Sequence, residues 1–128
     1  MSDNFNAIST KNAPSPAGPY SQGIITEDYV FTAGQRPQDP VTGEIKKDIK
    51  DQTRQVIKNI ESILKEAGCS LEDVVRTTVY LSDIKYFDEM NSVYKEMFSE
   101  PFPTRTTIGV QLRGIDIEID AIALKKQA

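Results

Sequence analysis

The sequence predicts an α+β fold: one mixed β-sheet with two helices packed on one of its faces. Three observations carry the prediction. Two segments, Ile49 to Ala67 and Ile84 to Phe98, repeat apolar residues at helical spacing. Other segments alternate apolar and polar residues with the period of a strand. The order reads ββαββαββ, or two β-α-β units if the short elements merge, and neither is a full α/β alternation. At 128 residues the chain has room for one core, so residues 1–128 are read as a single domain.

The elements follow in order. Residues 1 to 19 end in Ala13-Pro14-Ser15-Pro16-Ala17-Gly18-Pro19, an irregular arm with little ladder potential. Ser21 to Ile25 and Tyr29 to Ala33 read as a hairpin turning around Glu27-Asp28. Gly34 to Pro37 and Asp39 to Gly43 carry loop and turn chemistry. In the first helix Ile49, Thr53, Val56, Ile57, Ile60, Ile63, Leu64 and Ala67 share one face, and Gly68 stops it. Ser70 to Asp73 is a capped turn. Val74 to Leu81 is a strand with Val75, Thr77, Val79 and Leu81 on one face. Asp83 caps the second helix, whose stripe is Phe87, Met90, Tyr94, Met97 and Phe98. Pro101 and Pro103 end it. Thr106 to Leu112 and Ile115 to Leu124 then read as a closing hairpin joined at Arg113-Gly114. Its last strand sets Ile115, Ile117 and Ile119 against Asp116, Glu118 and Asp120, with Ile122 and Leu124 in line with the acidic residues. A sheet covered on one side and half apolar on the other tends to find a partner, so oligomerisation is expected.

Composition removes most familiar machinery. The chain has no histidine, no tryptophan and one cysteine. Ser-His-Asp and Cys-His arrangements and histidine-based zinc sites are therefore impossible. No G-x-G-x-x-G or Walker pattern occurs. A formal charge of −4 disfavours general attraction to nucleic acid. Cys69 cannot close an intrachain disulfide and is assigned no role. Met1 to Phe5 has neither a basic nor an apolar signal region, and no apolar run approaches the roughly 20 residues of a membrane span. A soluble, cytoplasmic protein is expected.

Few functional groups remain. Arg105 sits in Pro101-Phe102-Pro103-Thr104-Arg105-Thr106-Thr107, at the mouth of a strand. Its planar guanidinium is either an ion pair locking the last hairpin or a rigidly mounted fork for a carboxylate. Tyr20 is a core aromatic or a pocket hydroxyl. Asn91, near the apolar stripe of the second helix, is a structural tie or part of a polar site, since a buried amide must be hydrogen-bonded. The alternation of Asp116 and Asp120 suits a solvated strand face. Glu118, between them, is the acidic residue expected to be covered by a neighbouring element.

Four blocks resemble the RidA/YjgF family: Asn12-Ala13-Pro14 with Gly18-Pro19-Tyr20-Ser21-Gln22-Gly23; Phe31-Thr32-Ala33-Gly34-Gln35; Pro103-Thr104-Arg105-Thr106-Thr107; and Ile117-Glu118-Ile119-Asp120-Ala121-Ile122-Ala123. They span nearly the whole chain, in order. The resemblance implies a chorismate-mutase-like fold, a homotrimer with pockets between subunits, and no cofactor or metal. It implies hydrolysis of reactive enamines and imines, such as 2-aminoacrylate and 2-iminobutanoate, to 2-keto acids and ammonia. Carried across, Arg105 matches the arginine that binds the substrate carboxylate and Glu118 the glutamate that positions water. Tyr20 and Asn91 match pocket residues, and Gly34 lies in the pocket-lining loop. Two positions depart from the commoner pattern. Ala33 stands where serine is often found before the glycine, and Thr107 where cysteine or serine is frequent. The final turn is also shortened. The same resemblance carries two alternative functions, a non-catalytic trimer binding small carboxylates and an endoribonuclease or translation inhibitor.

One geometric expectation follows from the closing hairpin. With a two-residue turn, Arg105 faces Ile122, and Arg105 and Glu118 share a face about 13 Å apart along the strands.

Overall fold

The computed structural model describes residues 4–126. The helical periodicities form where expected. The first helix, α1 (Ile49–Glu66), is started by Asp48, whose carboxylate accepts the backbone N–H groups of Lys50 and Asp51. Gly68, with φ +76, takes the left-handed position past its end, which a side chain would strain. Asp83 caps a short 3₁₀ turn (Ile84–Tyr86) that leads into α2 (Phe87–Met97). The apolar stripes of both helices turn inward, with Val56, Ile57, Ile60, Ile63, Leu64 and Met90 inaccessible to water and Ala67, Phe87 and Met97 partly buried.

Six strands form one mixed sheet: β1 (Asn6–Ile8), β2 (Gly23–Ile25), β3 (Tyr29–Thr32), β4 (Val74–Leu81), β5 (Thr104–Gly109) and β6 (Ile117–Leu124). Their order across the sheet is β1-β2-β3-β6-β4-β5. Only the β4–β5 pair is parallel; the others are antiparallel. Along the chain the elements run βββαβαββ, with one strand between the helices where the sequence suggested two. The mixed sheet and its two helices match the predicted class.

Three local expectations are corrected. The N-terminal arm contains a strand: β1 pairs with β2 and buries Ile8. Three residues are too few to display an alternation. The first three residues of that arm lie outside the described part. Val75 points outward, because a register shift between Val74 and Arg76 turns it 37% exposed and leaves Thr77, Val79 and Leu81 facing the helices.

The third correction matters most. The closing hairpin does not form. β5 lies parallel to β4 at the sheet edge, reached through α2 as a crossover, while β6 inserts between β3 and β4. β6 is the strand that most needs the centre, because Ile117, Ile119, Ala121 and Ala123 are all buried on the helix side. β5 offers little apolar surface to that side, only Arg105, Thr107 and Gly109, so it sits at the edge. Arg105 therefore pairs with Thr77, not with Ile122.

Gln22 ties the arm to the sheet. Its amide accepts from the Thr10 N–H at 2.7 Å and donates to the carbonyls of Thr10, Ala13 and Pro14. Gln22→Ala orphans several of these buried groups, so the expected loss of stability is about 2–3 kcal/mol. Chemical denaturation at equilibrium measures it. A change within experimental error would show that the arm docks without Gln22.

Candidate functional site

The parallel pairing decides where Arg105 points. Thr77 is buried beneath α2, its hydroxyl 2.7 Å from the Tyr94 hydroxyl, and Arg105 beside it faces the same side. The guanidinium lies 4.7 Å from the centre of the Tyr94 ring and 5.5 Å from that of Phe87. Its Nη1 donates to Asn91 Oδ1 at 2.8 Å. Two aromatic faces and one amide thus hold the fork in a single orientation. Burial pushes the Tyr94 phenol above its ordinary pKa, so it stays neutral beneath the cation.

No carboxylate among the described residues forms an ion pair with Arg105. It borders a cavity of 380 Å³ lined by Asn91, Tyr94, Lys95, Phe102, Pro103 and Arg105, with two cations and no acid. The alternative role, an ion pair locking a hairpin, has neither its hairpin nor its carboxylate. Asn91 is a tie, and what it ties is Arg105. Thr107, one step further along the inner face of β5, lies opposite Val79 and is half-buried.

Glu118 lies elsewhere. In β6 it pairs with Tyr80 of β4, and both side chains project from the face opposite the helices. Arg105 and Glu118 are thus on opposite faces of the sheet, and the expectation that they share one is overturned. The cause is the missing hairpin. The 2.0 period places Glu118 correctly opposite Ile117 and Ile119, but one strand, β4, separates β6 from β5.

Around Glu118 a second cluster gathers. Residues 33–36 run beside β6, held by reciprocal bonds between Gln35 and Ile119 of 2.8 and 3.3 Å and by Ala33 N–H to the Gln22 carbonyl at 2.8 Å. The Glu118 side chain lies across Gly34. A Cβ on Gly34 would stand 2.5 Å from Glu118 Oε2 and 2.9 Å from its Cδ, so a side chain there would push the carboxylate aside. Ala33 is half-buried in this segment. Tyr20 is 50% exposed, so it is no core aromatic; its hydroxyl accepts the Ala17 N–H at 3.1 Å. Tyr20, Gln22, Gly34 and Arg36 line one small cavity of 60 Å³.

The neighbouring acids are not simply solvated. Asp116 accepts from the Ser82 hydroxyl at 2.7 Å and Asp120 from the Tyr80 hydroxyl at 3.0 Å. Among the described residues Glu118 has no such donor. Burial raises its pKa above the usual carboxylate range, the Arg36 charge opposes that rise, and the Asp120 charge adds to it.

The chain therefore carries two candidate half-sites, one on each face of its sheet. Arg105, Asn91 and Thr107 share the first; Tyr20, Gly34 and Glu118 share the second, with Ala33 preceding Gly34 in the chain. Sequence reading missed Tyr94 and Phe87 as the platform under Arg105, because a helical stripe reads as core. It also missed Arg36, whose signal was its place two residues beyond Gly34, on the same side of an extended segment. Among the described residues no helix is long and apolar enough to cross a membrane.

Comparison with known proteins bears on all of this. The family described as "Endoribonuclease L-PSP" matches residues 10–125. A RutC family protein of Pyrococcus horikoshii is 54% identical over 122 residues, covering 93% of this chain and 97% of that one. The 2-iminobutanoate/2-iminopropanoate deaminase of Salmonella typhimurium is 39% identical over 124 residues, covering 93% and 97%. Among solved structures, Escherichia coli TdcF with bound serine superposes with a TM-score of 0.90 at 39% identity, covering 94% of this chain and 99% of that one.

Proposed function

The chain belongs to the RidA/YjgF family, whose sequence model is the one described as Endoribonuclease L-PSP, and from that premise we propose that it hydrolyses 2-imino acids and their enamine tautomers to 2-keto acids and ammonia. The observation that carries the reading is Arg105: a half-buried guanidinium, fixed by Asn91 and two rings, beside a cavity without an acid. Such a fork fits a small carboxylate.

In this reading the working site forms between copies of the chain. Arg105 and Glu118 cannot meet within one copy, so the first half-site of one subunit faces the second half-site of its neighbour. Tyr29, Phe31 and Leu124, exposed on the open face at 43%, 39% and 48%, supply apolar surface for such packing. The assembly proposed is a homotrimer, a closed ring with three equivalent clefts.

The chemistry needs placement more than a strong base. Arg105 holds the substrate carboxylate and so fixes the iminium carbon. Glu118, lying over Gly34, accepts a hydrogen bond from a water and aims its oxygen at that carbon. The new C–O bond forms as the C=N π electrons move to nitrogen, giving a carbinolamine. A proton passes from the added water to nitrogen, the C–N bond breaks, and the departing ammonia takes the hydroxyl proton as the carbonyl closes, leaving as ammonium. An iminium carboxylate plus water thus becomes a 2-keto carboxylate plus ammonium, with charge and atoms balanced. Positioning of this kind accounts for large accelerations without a metal.

The reading is tested by running a threonine dehydratase with and without the protein and following 2-ketobutyrate release. Acceleration over the spontaneous rate is expected. Tight 2-keto acid binding without acceleration would instead favour the non-catalytic reading, to which Ala33, with no hydroxyl to offer, lends support. Light scattering should give a trimer; a monomer at working concentration would leave the cleft without its second wall.

Acidity should matter as well. Glu118 acts as the carboxylate, and its pKa lies above the usual range. As pH falls through that value the protonated fraction grows, and the ratio of catalysed to spontaneous rate should decline earlier than for an ordinary glutamate. In Glu118→Gln the residual rate should lose this acid limb. A limb that persists in the variant would assign it to another group.

A further inference from the structure

Among the described residues Arg36 is the cation that acts on Glu118, and nothing in the reaction above uses it. Its placement follows from the backbone. The Gln35–Ile119 bridge is antiparallel, so Arg36 lies across from Glu118 on the open face, one residue after the bridge. The Arg36 carbonyl accepts from Asn59 Nδ2 at 3.0 Å, which anchors this backbone to α1 independently of the side chain. Its Nη1 donates to the Arg113 carbonyl at 3.3 Å, steadying the guanidinium at the rim of the cavity it shares with Tyr20 and Gly34. The two side chains form no direct ion pair among the described residues, leaving the carboxylate oxygens without an arginine donor of their own.

We propose that Arg36 is a positioning residue for Glu118, supplying the positive charge that keeps this carboxylate over Gly34 as the water-orienting group. The deepened reading rests on the imine hydrolysis proposed above. The groups facing Glu118 are few. Tyr80 reaches it from β4, Asp116 and Asp120 stand two residues to either side of it in the chain, and Arg36 comes from the segment on the other side. Tyr80 is neutral and spends its proton on Asp120, and its own pKa is raised first by burial and then by that bond. Asp120 repels the Glu118 charge. Burial and Asp120 therefore both favour the protonated form, and Arg36 is the group that opposes them. A direct contact would tie up the carboxylate; a charge at one remove stabilises it while leaving its lone pairs for water.

Three variants of the full chain separate charge from tether: Arg36→Met removes both, Arg36→Gln keeps a donor for the Arg113 carbonyl, and Arg36→Lys keeps the charge. Two readouts are taken, the pH profile of imine hydrolysis and the titration of Glu118 by carboxyl ¹³C NMR, assigned through its loss in Glu118→Gln. In Arg36→Met and Arg36→Gln the Glu118 titration and the acid limb should both move to higher pH, with KM little changed. In Arg36→Lys both should return toward wild type. The NMR titration does not depend on turnover, so an inactive wild type sinks the deaminase reading while still testing the role of Arg36. An unmoved Glu118 titration in Arg36→Met would overturn the proposal. So would a raised KM with an unmoved titration, which would make Arg36 a substrate ligand instead. A shift in Met but not in Gln would reduce Arg36 to a loop tether.

Discussion

Arg105→Ala is expected to slow imine hydrolysis by about 100-fold or more, from the loss of two charge-assisted hydrogen bonds worth roughly 1.5–3 kcal/mol each. The fold should survive, because Arg105 sits on an edge strand and its stacking on Tyr94 is worth only about 1 kcal/mol. Arg105→Lys keeps the charge but loses the fork, so it should recover only part of the rate. The check is the dehydratase-coupled assay, with circular dichroism to show that the variant is folded. Equal acceleration by the alanine variant would leave the cavity beside α2 without a function in this reaction.

The second large effect comes from mixing. Arg105→Ala and Glu118→Gln each disable one half-site, and the halves lie on opposite faces of one sheet. If each cleft draws Arg105 from one subunit and Glu118 from the next, two inactive variants unfolded and refolded together should regain activity. Random assortment in a closed ring leaves about a quarter of the clefts with both residues intact. Against a residual of about one part in a hundred for each parent, that recovery is large. Mixing the folded proteins without exchange should recover nothing. If the co-refolded mixture stays as inactive as its parents, the cleft does not draw Arg105 and Glu118 from different subunits.

Much of this is legible in the sequence. The helices are, because Ile57, Ile60 and Leu64 recur at a spacing that only a helix can bury on one side. So are the inward faces of the strands: Ile117 and Ile119 are placed opposite Glu118 by alternation, and they are buried opposite it. The pairing of Arg105 with a polar helical residue was half legible. Asn91 was singled out as an amide that needed a partner, yet nothing local said that the partner was Arg105. Tyr94 was read as core, and it is core, but its ring also carries the guanidinium. Arg36 passed as loop chemistry because its importance depends on β6 lying beside it.

Periodicity in this chain specifies helices, strands and the buried side of each, because side-chain direction follows from the local geometry of the backbone whatever lies next to it. The neighbours of each strand are a different matter. β6 buries Ile117, Ile119, Ala121 and Ala123 by taking a central place between β3 and β4, and α2 carries β5 back to the far edge of β4. That exchange of partners put Arg105 under α2, on the face opposite Glu118, since burial of the whole apolar set outweighs closing a short hairpin between chain neighbours.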